Sequence, residues 1–211
     1  MRKQTHPLVW ILAFSLLLPI RPSLASDADE QSDVVVRVID ANTLLLKSGT
    51  KVRLIGVRAP SPYDKGWNDS LVKDLKLKNP SLDTYAHDAK EFVKYLVEGK
   101  PVRLELDPDQ LQVQNRDREG RVLAYVWFTS PIFQSPPDWL VMDPTAANTR
   151  YRYDAFLNAS IIRAGYSTVE TGWPFSFGGK FVTLEQEAKN AGRGVWKELS
   201  APPAKPSAKA G

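Results

Sequence analysis

Chemistry in this sequence has to be done by carboxylates, guanidiniums and aromatic rings. There is no Cys, and the two His are His6 and His87, so zinc sites and Ser-His or Cys-His nucleophilic systems lack their parts. His87 falls within a helical pattern and reads as a surface or capping residue. No Gly-rich phosphate loop is present. Two segments do combine aromatic faces with cations, the residue types that hold a single strand by stacking and phosphate contact. Arg150-Tyr-Arg-Tyr153 alternates the two, and the stretch 62–82 carries Trp67 with Lys73, Lys76 and Lys78. Both are long connections, which read equally as binding elements and as segments that pack onto the domain.

The elements that position these residues follow from hydrophobic period. Residues 34–39 are β-branched, Asp40-Ala-Asn-Thr43 reads as a turn, 44–47 is apolar again, and Ser48-Gly49 reads as a second turn. Lys51-Val-Arg-Leu-Ile-Gly-Val57 alternates, with Val52 and Leu54 on one face and Arg53 and Ile55 on the other. Over 84–98 the period becomes helical through Ala86, Ala89, Phe92, Val93, Leu96 and Val97, and Gly99 is placed to stop the helix. Val102, Leu104 and Leu106 mark a fourth strand and 122–128 a fifth. Helices are predicted over 155–164 and 182–191, stopped by Gly165 and Gly192, and Gly192-Arg-Gly-Val-Trp196 reads as a helix stop followed by a core tryptophan. The pattern predicts an α+β domain, mainly β with helices: a five-stranded Greek-key barrel of the oligonucleotide-binding (OB) type with three packed helices.

Composition sets the frame around that domain. Of 28 Lys+Arg against 24 Asp+Glu, three basic residues (Arg2, Lys3, Arg21) fall in the first 25 positions, which hold no acid. Arg2 and Lys3 precede an apolar run over 8–20, and Ser23-Leu-Ala25 offers small residues where a signal peptidase cuts, so 1–25 reads as a signal peptide with Ser26 the mature start. The run is shorter than the roughly 20 residues of a spanning helix. A secreted or periplasmic protein with no stable membrane insertion after cleavage is expected. Residues 26–33 read as an acidic disordered leader, 34–200 as one domain with insertions at 62–82 and 129–153, and 201–211 as a disordered Pro/Ala/Lys tail. The domain itself carries a surplus of +3, enough for a local basic patch but no signature of a nucleic-acid binder by itself.

Four ordered motifs carry a resemblance: Val38-Ile-Asp-Ala-Asn-Thr-Leu44, Val52-Arg-Leu-Ile-Gly-Val-Arg-Ala-Pro60, Asp117-Arg-Glu-Gly-Arg-Val-Leu-Ala-Tyr125 and Ala188-Lys-Asn-Ala-Gly-Arg-Gly-Val-Trp196. Together they resemble the staphylococcal-nuclease-like (thermonuclease) family. The resemblance implies a barrel whose cleft, in active members, holds one Ca²⁺ and hydrolyses phosphodiester bonds of DNA and RNA. It also implies a site of two metal-binding aspartates, a glutamate base and two arginines.

Carried over position by position, the arginines are retained as Arg53 and Arg121, the phosphate-binding pair of the family's catalytic set. The carboxylates are not: the metal-ligand positions hold Asn42 and Arg58, and the general-base position holds Ser61, with Asp40, Thr43 and Pro60 kept around them. Three negative charges are thereby exchanged for one positive charge. A hard cation prefers several carboxylate oxygens, so neither Ca²⁺ nor any other cofactor is expected. Arg53, Arg58 and Arg121 are expected to form an anion site instead. The resulting expectation is an exported domain with a degenerate active site, hydrolysis lost, that binds nucleic acid or another polyanion without metal. Three alternatives stand beside it: an active phosphodiesterase of unusual composition, in which Asp64 of the first insertion enters the cleft; a protein-interaction module; and arginines that serve structure by pairing with Asp40 or Asp117.

Overall fold

In the computed structural model the structure describes residues 31–76, 82–113, 115–146, 152–172 and 174–197. Five strands close into a barrel: β1 (Gln31–Asp40), β2 (Thr43–Leu46), β3 (Lys51–Leu54), β5 (Pro101–Glu105) and β6 (Val122–Thr129). Four of the pairings are antiparallel, and the barrel is shut by a parallel one, β3 on β6, with Val52 opposite Val122 and Leu54 opposite Ala124. The long first strand serves two neighbours. Its N-terminal half pairs with β5 (Asp33 opposite Val102) and its C-terminal half with β2 (Val38 opposite Leu44), with register shifts that bend it between them. Short strands β4 (Val57–Arg58) and β8 (Thr168–Val169) pair beside the barrel, and β7 (Asp154–Phe156) extends β6.

The inward positions match the period-2 reading. Val35, Val38, Leu44, Leu46, Val52, Leu54, Val102, Leu104, Ala124 and Val126 are all buried in one core. Helix α2 (Asp83–Val97) covers β1 with Ala86, Ala89, Val93, Leu96 and Val97, each fully buried. Gly99, at φ +74°, follows it and donates its N–H to Val35 O at 2.7 Å, fastening the helix end to the strand. Helix α3 (Leu157–Arg163) is pinned to the barrel by Asn158, which is wholly buried. Its carboxamide donates to Ile55 O (2.9 Å) and Ala124 O (3.2 Å) and accepts from Val126 N–H (3.0 Å), so backbone groups left over where two strands meet are satisfied by one side chain. Helix α4 (Gly178–Asn190) packs on α3 through Phe181, Leu184 and Ala188. The segment after it is structural, as its sequence suggests: Gly165 and Gly194 meet backbone to backbone where a Cβ on either would overlap the other's neighbourhood, Val195 N–H bonds Gly165 O at 3.0 Å, and Trp196 is buried.

Several boundaries depart from expectation. The helix expected over 155–164 is Leu157–Arg163, with Ala155 and Phe156 in β7, and the one expected over 182–191 begins at Gly178. Gln31, Ser32 and Asp33, read as the end of a disordered leader, belong to β1 and pair with Leu104, Arg103 and Val102. The first insertion contains a helix, α1 (Lys65–Leu75), making four α-helices rather than three among the described residues. The reason α1 is hard to read is its thin apolar face, which buries only Leu71 and Asn68. The signal segment, the leader as far as 30, and the tail lie outside the described residues, and no helix among those described is long and apolar enough to cross a membrane.

Candidate functional site

A cleft of about 940 Å³ opens where the turn after β1, strand β3, the start of α1 and the loop before β6 converge. Its charges are mixed: Lys51, Arg53, Arg116, Arg118 and Arg121 face Asp40, Asp64, Asp109, Asp117, Glu119 and Glu170. The cleft is therefore no uniform basic groove, and what matters is which charges are already spent.

Arg121 is spent. The turn Asp117-Arg-Glu-Gly-Arg121 closes on itself: Asp117 Oδ1 accepts from the backbone N–H of Glu119 and of Arg121, each at 3.0 Å, and Gly120 takes the positive φ the turn requires. Asp117 Oδ2 then receives Arg121 Nε at 2.6 Å, Glu119 lies 3.2 Å from Nη2, and Thr43 Oγ1 accepts from Nη1 at 3.4 Å. The guanidinium is thus oriented toward β2 by its own loop.

Arg53 is different. It stands on β3 opposite Thr43, is 9% exposed, and its guanidinium has no hydrogen bond or ion pair with any described residue. Burial and the neighbouring Arg121 charge hold its guanidinium below the usual arginine range, only partly offset by Asp40, Asp117 and Glu170 at longer reach. The Trp67 ring lies beside it, 5.8 Å from Cζ to ring centroid. Asp40 is half-buried nearby and accepts from Asn42 N–H at 3.0 Å in an Asx turn. Burial pushes its carboxyl above the usual range, outweighing the hydrogen bonds from Asn42 and Thr43 and the two arginines.

The replaced positions are each tied into the fold. Asn42, 4% exposed, donates to Val57 O at 3.2 Å and accepts from Thr43 Oγ1 at 3.0 Å, so both ends of its carboxamide have partners. Ser61 Oγ accepts from Tyr63 N–H (3.3 Å), and the Ser61 backbone is gripped at both ends by Asn68 of α1 at 2.8 Å each. Arg58 does not line the cleft. Its guanidinium turns to α1, 2.7 Å from Asp74 and 3.0 Å from Ser70 Oγ, and lies 4.9 Å over the Trp67 ring. The structure thus brings Arg53 and Arg121 together and takes Arg58 elsewhere. Asp64 does line the cleft, but its Oδ1 caps α1 by accepting from Trp67 N–H at 2.8 Å. Among the described residues no group of three or more His, Cys, Asp or Glu is placed to hold a metal ion.

The other candidates fall away from the cleft. His87 is exposed on α2. Trp139 of the second insertion packs on Phe92 of α2 (centroids 4.9 Å apart), and Tyr153 packs on the core and bonds Ser130, so these residues hold their loop to the barrel. Arg150, Tyr151 and Lys78 lie outside the described residues. Glu170 and Pro174, which wall the cleft after β8, were not legible as site residues, since nothing local marks them.

A five-stranded OB-type barrel whose cleft holds two arginines over a strand and its neighbouring turn defines the staphylococcal-nuclease class of protein. The chain belongs to that family: the family model described as "Staphylococcal nuclease homologue" matches residues 51–198. It is 32% identical over 145 residues to a thermonuclease of Staphylococcus hyicus, an alignment covering 63% of this chain and 75% of the relative. To a thermonuclease of Staphylococcus intermedius it is 34% identical over 112 residues, covering 52% of this chain and 56% of the relative.

Proposed function

We propose that this protein is an exported member of the nuclease family that has lost hydrolysis and holds a phosphate-bearing ligand, nucleic acid foremost, without a metal. The observation that carries this reading is the Arg53 guanidinium, desolvated, facing the cleft and without a hydrogen-bonding partner among the described residues. A buried cation with unmatched donors is costly, and a phosphate oxygen is the group that satisfies it, by charge and by the planar fork of donors. Arg121, already oriented by Asp117, offers a second contact.

The donor set does not fit calcium. Asn42 uses its carboxamide on Val57 and Thr43, Arg58 brings a positive charge to a ligand position and points to α1, and Asp40 is left as the one retained carboxylate of the set, too few for a hard cation. Ser61 has no proton affinity to act as a base for water at neutral pH. What remains is charge stabilisation by arginine, which binds a phosphate without activating a nucleophile.

The active-enzyme alternative has one observation in its favour, the presence of both Asp40 and Asp64 on the cleft wall. An assay on single-stranded DNA and RNA with Ca²⁺ or with chelator decides between them. The expected outcome is no metal-stimulated cleavage, together with oligonucleotide binding that chelator leaves intact and that weakens as salt rises. Cleavage abolished by chelator and by Arg121→Ala would establish the enzyme. Export is tested by mass spectrometry of the expressed protein, with an N-terminus at Ser26 expected.

A further inference from the structure

We propose that α1 equips the cleft with a nucleobase platform: Trp67, flanked by Tyr63, stacks a base of a single-stranded nucleic acid whose phosphate Arg53 holds. The proposal rests on the reading of the cleft as a phosphate site and names what that site selects.

The platform is built and braced. Trp67 and Tyr63 both line the cleft, Trp67 partly buried and Tyr63 68% exposed. The indole is fixed edge-on by its N–H to Ala59 O at 2.7 Å, and the turn below it is fixed by the two Asn68 bonds to Ser61. Arg58, which the family pattern puts at a metal ligand's position, here braces the helix that carries Trp67, through Asp74, Ser70 and the ring itself. On the Tyr63 side, Lys90 of α2 reaches the phenol oxygen at 2.5 Å and lies 4.8 Å from the ring centroid. A platform held in this way pays little ordering entropy when a ring stacks on it.

Geometry and charge then select the ligand. Arg53 Cζ is 5.8 Å from the Trp67 ring centroid, so one nucleotide spans the phosphate contact and the aromatic one. Because the acids of the cleft offset its bases, charge alone does not hold a strand there, and stacking has to contribute. A base inside a duplex has both faces covered, whereas an unpaired base offers one to an aromatic side chain.

The test is fluorescence anisotropy on the purified protein at low salt with chelator, comparing a short labelled oligothymidylate with an abasic strand of equal phosphate count. Wild type should prefer the base-bearing strand by about tenfold, the scale of one stacked base. Trp67→Ala should level the two strands, abolishing the preference for the base-bearing one, and Arg53→Ala should weaken both. Should Trp67→Ala not fold by circular dichroism, Trp67→Leu, which keeps apolar bulk but no aromatic face, takes its place with the same expectation. Equal affinity of wild type for both strands, or a preference that survives loss of the Trp67 ring, overturns the platform and leaves the phosphate site standing. No binding of either strand by wild type fails the phosphate site and the platform together.

Discussion

The guanidinium of Arg58 lies 2.7 Å from the carboxylate of Asp74, across the short span between β4 and α1, and this pairing removes from the cleft a positive charge that the linear order of residues puts into it. Arg53 and Arg121 are left as the cations beside Thr43.

Arg58→Ala is therefore expected to leave affinity for an abasic strand, which reads the phosphate contact, within about twofold, against a loss of more than tenfold for Arg53→Ala. Because Asp74 is half exposed, breaking the pair should cost no more than about 1 kcal/mol of stability. Anisotropy titrations and urea melts of the two variants check both figures.

Asn42→Asp, the change that restores one family carboxylate, is expected to destabilise the protein by about 1–3 kcal/mol at neutral pH and to restore no calcium site by itself. A buried carboxylate would face the Val57 carbonyl where the carboxamide now donates at 3.2 Å. Denaturant unfolding and calorimetric titration with Ca²⁺ read the two outcomes separately.

Acid and alkaline stability should be governed in part by one buried network behind the cleft. Asp107 is wholly buried; burial pushes its carboxyl up, but hydrogen bonds from Tyr125 Oη, Ser176 and Asp109 N–H outweigh that and leave it below 3.8. Its contribution is present above that value and is lost as pH falls through the depressed pKa. For Tyr125, burial and the Asp107 bond raise the phenol far above 10.0, so its contribution is present below pH 10.0 and is lost as pH rises beyond it. Tyr125→Phe should cost about 2 kcal/mol at pH 7, and the difference from wild type should shrink between pH 10 and 12. Asp107→Asn should flatten the acid limb. Urea melts across pH test both.

Asn158→Ala should be among the most destabilising single changes at a polar residue, by more than about 2 kcal/mol, since it removes the partners of Ile55 O and Val126 N–H in the interior and leaves Ala124 O only its bond from Ile55 N–H. A lowered urea midpoint with an unchanged slope is the expected signature.

Much of the fold is legible from local pattern. The barrel strands alternate because one face of each meets a shared core, and α2 shows its face because five of its residues are fully buried. Helix α1 escaped because it buries so little that tertiary contact, through Asn68 to Ser61 and Trp67 to Ala59, holds it in place rather than an apolar stripe. The alternation over 51–57 places Arg53 opposite Val52 and Leu54, on the barrel's outer side, where a strand residue is ordinarily solvated. It is buried because Trp67 and the loop bearing Glu170 and Pro174 close over it, and those come from remote parts of the chain.

The sequence by itself determined the barrel strands and the family, because each is carried by alternation or by a motif whose residues lie within a few positions of one another. Only the tertiary structure decided which arginine is free. A long cationic side chain goes to the nearest carboxylate in space: Arg121 finds Asp117 within its own turn, Arg58 finds Asp74 on a helix that local pattern does not reveal, and Arg53 is enclosed where no carboxylate of the described residues reaches hydrogen-bonding distance.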